Sequence, residues 1–295
     1  MRILFVSSNR IGDAVLSTGL LAHLLRTYPE ARFTVACGLV SEGVFARMPR
    51  LERLIAFDKR PYGMHWLPLW AATVGTMWDL VVDLRASALG WLVPTRKRVR
   101  MRKGSGHKTA QIAAIMGLSP PPLPTAWTGP EDRAVAERLL PAGSPIIAIG
   151  PTANWTGKVW PAERFVALAR GLAAAKGARV AVFAGPGAQE AGLAAPVLAG
   201  LADLDPIDLT GRLSLPEAAA CLQRCAVFVG NDSGLMHLAA AAGCPTLGLF
   251  GASNASVTEY SPAGRRTDVV VTTGDEMRGI TVGAAHAAAL RLMEG

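Results

Sequence analysis

Gly230-Asn231-Asp232-Ser233-Gly234-Leu235-Met236-His237 is a polar loop set between two apolar runs. Before it, Ala226-Val227-Phe228-Val229 is short and β-rich, the composition of a buried parallel strand. After it, residues 235–242 are dominated by alanine and leucine and read as a helix, and Pro245-Thr246-Leu247-Gly248-Leu249-Phe250 reads as the next strand. The loop therefore sits at the carboxyl end of a strand and opens a helix. Free backbone N–H groups and the helix dipole make such a position an anion site. Ser233 and Gly234 are small enough to let an oxygen-rich ligand approach the backbone. In an open α/β sheet this is where a phosphate-bearing substrate binds.

The same alternation of strand and helix runs through the 295 residues. In the first half, strands are expected at 3–7, 32–36, 53–57 and 80–83, with helices at 14–27 and 109–116. Leu118-Ser119-Pro120-Pro121-Pro122-Leu123-Pro124 is a proline-rich break. A short charged helix at 131–140 leads to a second break at Pro141-Ala142-Gly143-Ser144-Pro145. Strands are then expected at 146–149, 179–184, 207–209 and 269–272, and helices at 162–175, 189–200, 215–222 and 282–293. Two βαβ-rich halves predict two Rossmann-like domains facing across a cleft, residues 1–142 and 143–295.

Hydrophobic residues make up 51% of the chain and charged ones 18%, enough apolar material for two sizeable cores. The four cysteines, Cys37, Cys221, Cys225 and Cys244, lack metal-ligand spacing and are expected as buried free thiols in a reducing compartment. The run Ile3-Leu4-Phe5-Val6 is too short for a signal-peptide core, and no apolar stretch is long enough to span a bilayer. A cytoplasmic protein is expected. The net charge of +8 is uneven: residues 1–142 hold 19 Lys/Arg against 10 Asp/Glu, and the remainder 11 against 12. The densest block is Arg96-Lys97-Arg98-Val99-Arg100-Met101-Arg102-Lys103. It reads either as a solvated surface strand or as a site for an anionic partner. Aromatic residues are not interleaved with it, which argues against nucleic acid.

Four further features bear on chemistry. Asp13, in Arg10-Ile11-Gly12-Asp13, follows the first strand and opens the first helix, a place for a general base or for a helix cap. Gly150-Pro151-Thr152-Ala153-Asn154-Trp155-Thr156-Gly157-Lys158 has the wrong glycine spacing for a P-loop, and Val159 stands where Ser or Thr is required. That disfavours a magnesium-dependent nucleotide hydrolase and leaves Lys158 as a solvated loop lysine or a point charge for phosphate. In Gly185-Pro186-Gly187-Ala188-Gln189-Glu190, Glu190 takes the third glycine's place of a dinucleotide fingerprint. Glu190 either complements its helix dipole or accepts bonds from ribose hydroxyls. His237 lies four residues after Ser233 and is either structural or faces the same loop.

Taken together, four ordered motifs resemble glycosyltransferase family 9, the heptosyltransferases of bacterial lipopolysaccharide assembly. They are Ile11-Gly12-Asp13 with Thr18 and Tyr28-Pro29; Asp83-Leu84-Arg85 leading to the basic segment; Lys158-Val159-Trp160-Pro161; and Asn231 to His237 running to Leu249-Phe250-Gly251. The stretch from Lys59 to Trp78 matches no family pattern. The resemblance implies a GT-B fold and an inverting, metal-independent transfer from ADP-heptose, with no cofactor. It makes Asp13 the base that deprotonates the acceptor hydroxyl. It assigns the donor diphosphate to Lys158 and to the Asp232, Ser233 and Gly234 loop, with Thr152, Glu190 and His237 as further donor contacts. The expected acceptor is an anionic glycolipid, the Kdo-bearing lipid A core, met by Arg98, Arg100, Arg102 and Lys103 at the anionic inner-membrane surface. A GT-B glycosyltransferase using another nucleotide sugar for a different surface glycan or protein acceptor, a non-catalytic nucleotide-sugar-binding protein and, more remotely, a nicotinamide oxidoreductase remain as alternatives.

Overall fold

A computed structural model describes residues 1–58, 66–102, 104–251, 254–272 and 276–294, with backbone alone at 254–256. Lys103 and residues 59–65 of the 59–78 segment therefore lie outside the described residues. The chain divides into two compact units, Met1–Trp127 and Thr128–Gly295.

The first unit is built on β1 (Arg2–Val6), β2 (Arg32–Gly38), β3 (Leu51–Phe57), β4 (Trp78–Asp83) and β5 (Thr95–Arg100), all parallel, in the order β3-β2-β1-β4-β5. Ile3, Leu4, Phe5 and Val6 of the central strand have no exposed surface, because a middle strand with helices on both faces has no wet side. The order reverses between β1 and β4, which opens a crevice at their carboxyl ends. The helix Ile11–Thr27 follows β1 and buries Ala14, Leu16, Leu20, Leu21 and Leu24.

The basic block forms β5, the edge of this sheet, in which only Val99 is buried. Alternating Arg and Lys on an edge strand discourage a further strand from pairing there. The proline-rich break is not a free linker. A Cβ on Gly19 would stand 2.3 Å from the Pro122 carbonyl oxygen, so only glycine lets the first helix lie against this segment. Thr18 Oγ1 accepts the Thr125 N–H at 2.8 Å beside it.

The second unit holds β6 (Ile146–Gly150), β7 (Arg179–Val182), β8 (Ile207–Asp208), β9 (Val227–Asn231), β10 (Thr246–Phe250) and β11 (Thr267–Val271). These too are all parallel, in the order β11-β10-β9-β6-β7-β8, with the reversal between β6 and β9. Ile147, Ile149, Val180, Val182, Val227, Val229, Leu247 and Leu249 meet Phe165, Leu168 and Leu172 of the helix Ala162–Lys176 in one core. Each such side chain, fully buried, contributes about 1.5–3 kcal/mol of apolar transfer. Trp160 is fully buried within that core, its indole N–H donating to the Ile280 carbonyl at 3.0 Å and its ring edge-on to Phe165.

The boundary falls ahead of the helix Pro130–Leu139, not after it at residue 142 as the sequence suggested. The reason is packing. That helix lies against the helix Leu215–Leu222, Leu140 is fully buried, and Arg224 Nε donates to the Leu140 carbonyl at 2.7 Å.

All four cysteines are buried free thiols, as expected. Burial pushes the Cys37, Cys221 and Cys244 thiols up to about 12. Thiols so far from ionising are poor nucleophiles, so these cysteines serve packing rather than chemistry.

Candidate active site

In the first unit the crevice at the ends of β1 and β4 is a small open cavity lined by Ser7, Ser8, Asp13, Leu84, Arg85, Met101, Lys108 and Ile112. Asp13 is the third residue of the first helix, inside its first turn, and the residue at the capping position is Arg10. Its carboxylate is poorly satisfied. Oδ2 accepts a long bond from Ser8 Oγ at 3.4 Å, and Oδ1 is buried with no hydrogen-bond partner. A buried carboxylate oxygen left unpaired carries a desolvation cost that a cap would not incur, which argues for function over structure.

Arg85 reaches the cavity because the loop after β4 is fixed by Asp83. That carboxylate is fully buried and accepts the Arg85 N–H at 2.9 Å, the Ser87 N–H at 2.8 Å and the Ser87 hydroxyl at 2.8 Å. The Arg85 guanidinium donates to Asn9 Oδ1 and lies over the Trp66 and Phe57 rings, 5.2 and 5.8 Å from their centroids. Burial pulls its pKa below the ordinary arginine value, with Asp83 opposing.

Arg98 and Arg100 do not line this cavity. They project from one face of β5 over Trp91, 5.1 and 4.9 Å from its ring, and donate to the backbone carbonyls of Val93 and of Ala86 and Ser87. Arg102 is exposed and also outside the cavity. Lys103 lies outside the described residues.

In the second unit the reversal point is crowded by design of its residues. Gly150 of β6 faces Gly230 of β9. A Cβ on Gly230 would meet the Gly150 carbonyl oxygen at 2.7 Å, so a side chain here would push the strand ends apart. One residue on, Asn231 is fully buried. Its carboxamide oxygen accepts the Trp160 N–H at 3.0 Å, and its nitrogen donates to the Pro151 carbonyl at 2.9 Å. The loops after β6 and β9 are thereby joined, and Lys158, two residues before Trp160, is brought to Asp232, with Nζ 2.5 Å from Oδ2. The lysine remains about a third exposed. Ser233 caps the helix Gly234–Ala242, its Oγ accepting the Met236 N–H at 3.4 Å. The first N–H groups of that helix, the cap and the partly exposed ammonium thus form a positively polarised ledge suited to phosphate.

Thr152 and His237 are both buried at the same strand ends, each 4% exposed. Glu190, in the first turn of the helix Ala188–Gly200, accepts the Gly185 N–H through Oε2 at 3.0 Å. It closes its own glycine loop with one carboxylate oxygen, which leaves the other for a ligand hydroxyl.

Residues 107–281 match the sequence profile of glycosyltransferase family 9 (heptosyltransferase). The chain belongs to that family. Among curated relatives it is 30% identical over 283 residues to lipopolysaccharide heptosyltransferase 3 of Escherichia coli, covering 82% of this chain and 81% of that one. Among solved structures it is similar to a family 9 glycosyltransferase from Veillonella parvula (TM-score 0.83, 22% identity, 99% of this chain and 97% of the other). It is also similar to the E. coli heptosyltransferase WaaC solved with ADP (TM-score 0.78, 19% identity, 99% and 100%). The fold is accordingly GT-B, two Rossmann-like units, and the protein is a glycosyltransferase.

Within this glycosyltransferase the sequence motifs pointed to Asp13 and to the Asp232–Gly234 loop. Asp83, Arg85 and Asn231 stood in the quoted motifs without an assigned role, and Lys108 stood in none. Asp83 and Asn231 act at strand ends whose apolar runs signal only a core, and Lys108 opens a helix far along the chain from Asp13.

Replacing Asn231 with alanine strips partners from two backbone groups, the Trp160 N–H and the Pro151 carbonyl. The expected cost is about 2–4 kcal/mol of stability at one to two per orphaned group, read by urea or thermal unfolding. An Asn231→Ala protein as stable as the parent would show that the two loops are held by something else.

Proposed function

We propose that this family 9 enzyme transfers a heptosyl group from ADP-heptose to a sugar of the lipopolysaccharide inner core. The observation that carries the reading is the Asp13 carboxylate, with one buried oxygen lacking a partner in a cavity at the reversal point of its sheet. The relatives support the substrates: the E. coli protein is named a lipopolysaccharide heptosyltransferase, and WaaC was solved with ADP.

In this reading the acceptor hydroxyl donates to Asp13 Oδ1. As its oxygen attacks the anomeric carbon, its proton passes to Asp13, a bond to that carbon forms, and the bond to the diphosphate oxygen breaks on the opposite face. ADP leaves with the bonding electrons and the configuration inverts. The leaving group gathers negative charge, so catalysis needs cations and oriented N–H donors where it departs. Lys158, the Ser233 cap and the first N–H groups of the Gly234–Ala242 helix have that character. Asp232 is not a bare anion facing phosphate, because it is paired with Lys158. Its role is to aim the ammonium. Glu190 would accept a ribose hydroxyl through its second oxygen, and Thr152 and His237 would shape the floor. Since Lys158 and the loop supply the charge stabilisation, no metal is required.

None of the described helices is long and apolar enough to cross a membrane. We infer that the first unit meets an anionic lipid surface, where a glycolipid acceptor resides. Trp91 and Leu92 are exposed beside Arg98 and Arg100, with Arg96 and Lys97 also exposed on the same strand. An amphipathic indole with basic neighbours suits the headgroup region.

Activity and membrane binding test these readings separately. Asp13→Asn should lower the transfer rate by roughly 10²–10⁴-fold with ADP-heptose binding unchanged, and excess EDTA should leave the parent rate unaltered. Retained turnover in the variant would remove Asp13 as the base, and loss with EDTA would reinstate a metal. Binding to phosphatidylglycerol vesicles should exceed binding to phosphatidylcholine vesicles, fall with salt and weaken in Trp91→Ala. Equal sedimentation with both lipids would reject the membrane surface.

A further inference from the structure

The loop that carries Arg85 into the Asp13 cavity contains a backbone conformation that its sequence does not favour. Ala86 has φ 51°, in the left-handed region that glycine adopts freely and alanine resists. For a residue with a Cβ that conformation carries about a 5–30-fold population penalty. Ala86 is exposed, so packing of its own methyl does not offset the penalty. Such strain persists only where the surroundings over-determine it. Here the neighbouring peptide groups are held from two sides. Asp83 accepts the N–H groups that flank Ala86, those of Arg85 and Ser87. The carbonyls of the same turn are taken by β5: Arg100 Nη2 donates to the Ala86 carbonyl at 2.7 Å and to the Ser87 carbonyl at 3.1 Å. Asp83 and Arg100 are partners in the register of β4 and β5, so the two residues that hold the turn stand side by side in the sheet. The Arg100 guanidinium lies over Trp91, and Arg98, over the same ring, donates to the Val93 carbonyl at the loop's far end. A charged donor shared between two carbonyls is a stronger brace than a neutral one.

We propose that Arg100 is a positioning residue for glycosyl transfer: it locks Ala86 in its left-handed turn, and the locked turn keeps Arg85 in the wall of the Asp13 cavity. The inference rests on the glycosyl-transfer reading of that cavity and adds a residue that acts without touching substrate. Without Arg100 the Ala86 peptide relaxes to negative φ. The Arg85 and Ser87 N–H groups then leave Asp83, and Arg85 loses its fixed place. A glycine at position 86 needs no lock, because the left-handed turn costs it nothing. Ala86→Gly therefore restores what the loss of Arg100 takes away. A direct contact between Arg100 and substrate would show no such dependence on residue 86.

The test is a rescue experiment on the full chain, with Arg100→Met, Ala86→Gly and the double variant. It reads kcat/KM for the acceptor with ADP-heptose as donor, and amide hydrogen exchange at Arg85 and Ser87 by NMR without ligand. Arg100→Met should lower kcat/KM for the acceptor by about 5–30-fold, leave KM for ADP-heptose unchanged, and speed exchange at both amides by a similar factor. Ala86→Gly alone should stay within about twofold of the parent on both readouts. In the double variant it should recover most of both losses. Ala86→Val, with Arg100 intact, should slow transfer and speed exchange, because a β-branched residue resists positive φ still more. That variant carries the test should Arg100→Met fail to fold. A loss in Arg100→Met that Ala86→Gly does not repair would make Arg100 a substrate contact and overturn the proposal. Unchanged exchange in Arg100→Met, or faster exchange with unaltered transfer, would overturn it as well. The exchange measurement needs neither donor nor acceptor, so it judges the lock even if ADP-heptose proves not to be the substrate.

Discussion

A single fully buried carboxamide organises the second unit of this enzyme. Asn231 stands at the last residue of β9, where the sheet reverses direction, and its two polar atoms are used on two different loops. No aliphatic residue could do this, and aspartate would place charge against the Pro151 carbonyl. Because Trp160 is held by Asn231 through its backbone and by Ile280 through its indole, Lys158 has a defined anchor two residues away. Lys158 is thus positioned by a core interaction. That is the form of preorganisation the proposed phosphate site requires, since its donors must be in place before charge develops.

The two units apply one rule to opposite tasks. Each is a parallel sheet whose order reverses once, and each puts its chemistry at the carboxyl ends of the strands flanking the reversal. In the second unit the reversal carries paired glycines, a helix cap and a lysine, and it suits an anion. In the first it carries an under-satisfied carboxylate and suits a proton donor. A buried carboxylate also does purely structural work next door. Asp83 has three donors where Asp13 has one long one, and that contrast separates a loop anchor from the proposed base more sharply than position alone.

How much of this was legible in the sequence follows from which forces act locally. Central parallel strands are buried on both faces, so Ile3–Val6 and Val227–Val229 announce themselves as unbroken apolar runs, and the two-unit fold follows. The edge strand β5 does not, because only Val99 of Thr-Arg-Lys-Arg-Val-Arg is buried and its composition is that of a surface. The unit boundary was misplaced because the prolines of 118–124 look like a linker, whereas they pack on the first helix through Gly19, and the charged helix after them docks onto the second unit. The placement of Asp13 and of the Asp232–Gly234 loop just after strand ends was legible because motif and strand end coincide. Arg98 and Arg100 were read as acceptor contacts from charge alone, while the structure stacks them on Trp91. Arg85 and Lys108 join the cavity only through tertiary placement of two segments far apart in the chain.

The central claim is that the Asn231-anchored ledge of the second unit binds an adenosine diphosphate sugar without metal. The most direct test is the thermal unfolding midpoint of the protein with ADP-heptose and with UDP-, GDP- and CMP-sugars, in metal-free buffer. A midpoint that rises with ADP-heptose concentration as mass action requires, and that neither the other nucleotides nor a Lys158→Ala variant reproduce, is the predicted result. A shift with another nucleotide sugar that matches or exceeds it, or no shift with any, would contradict the account.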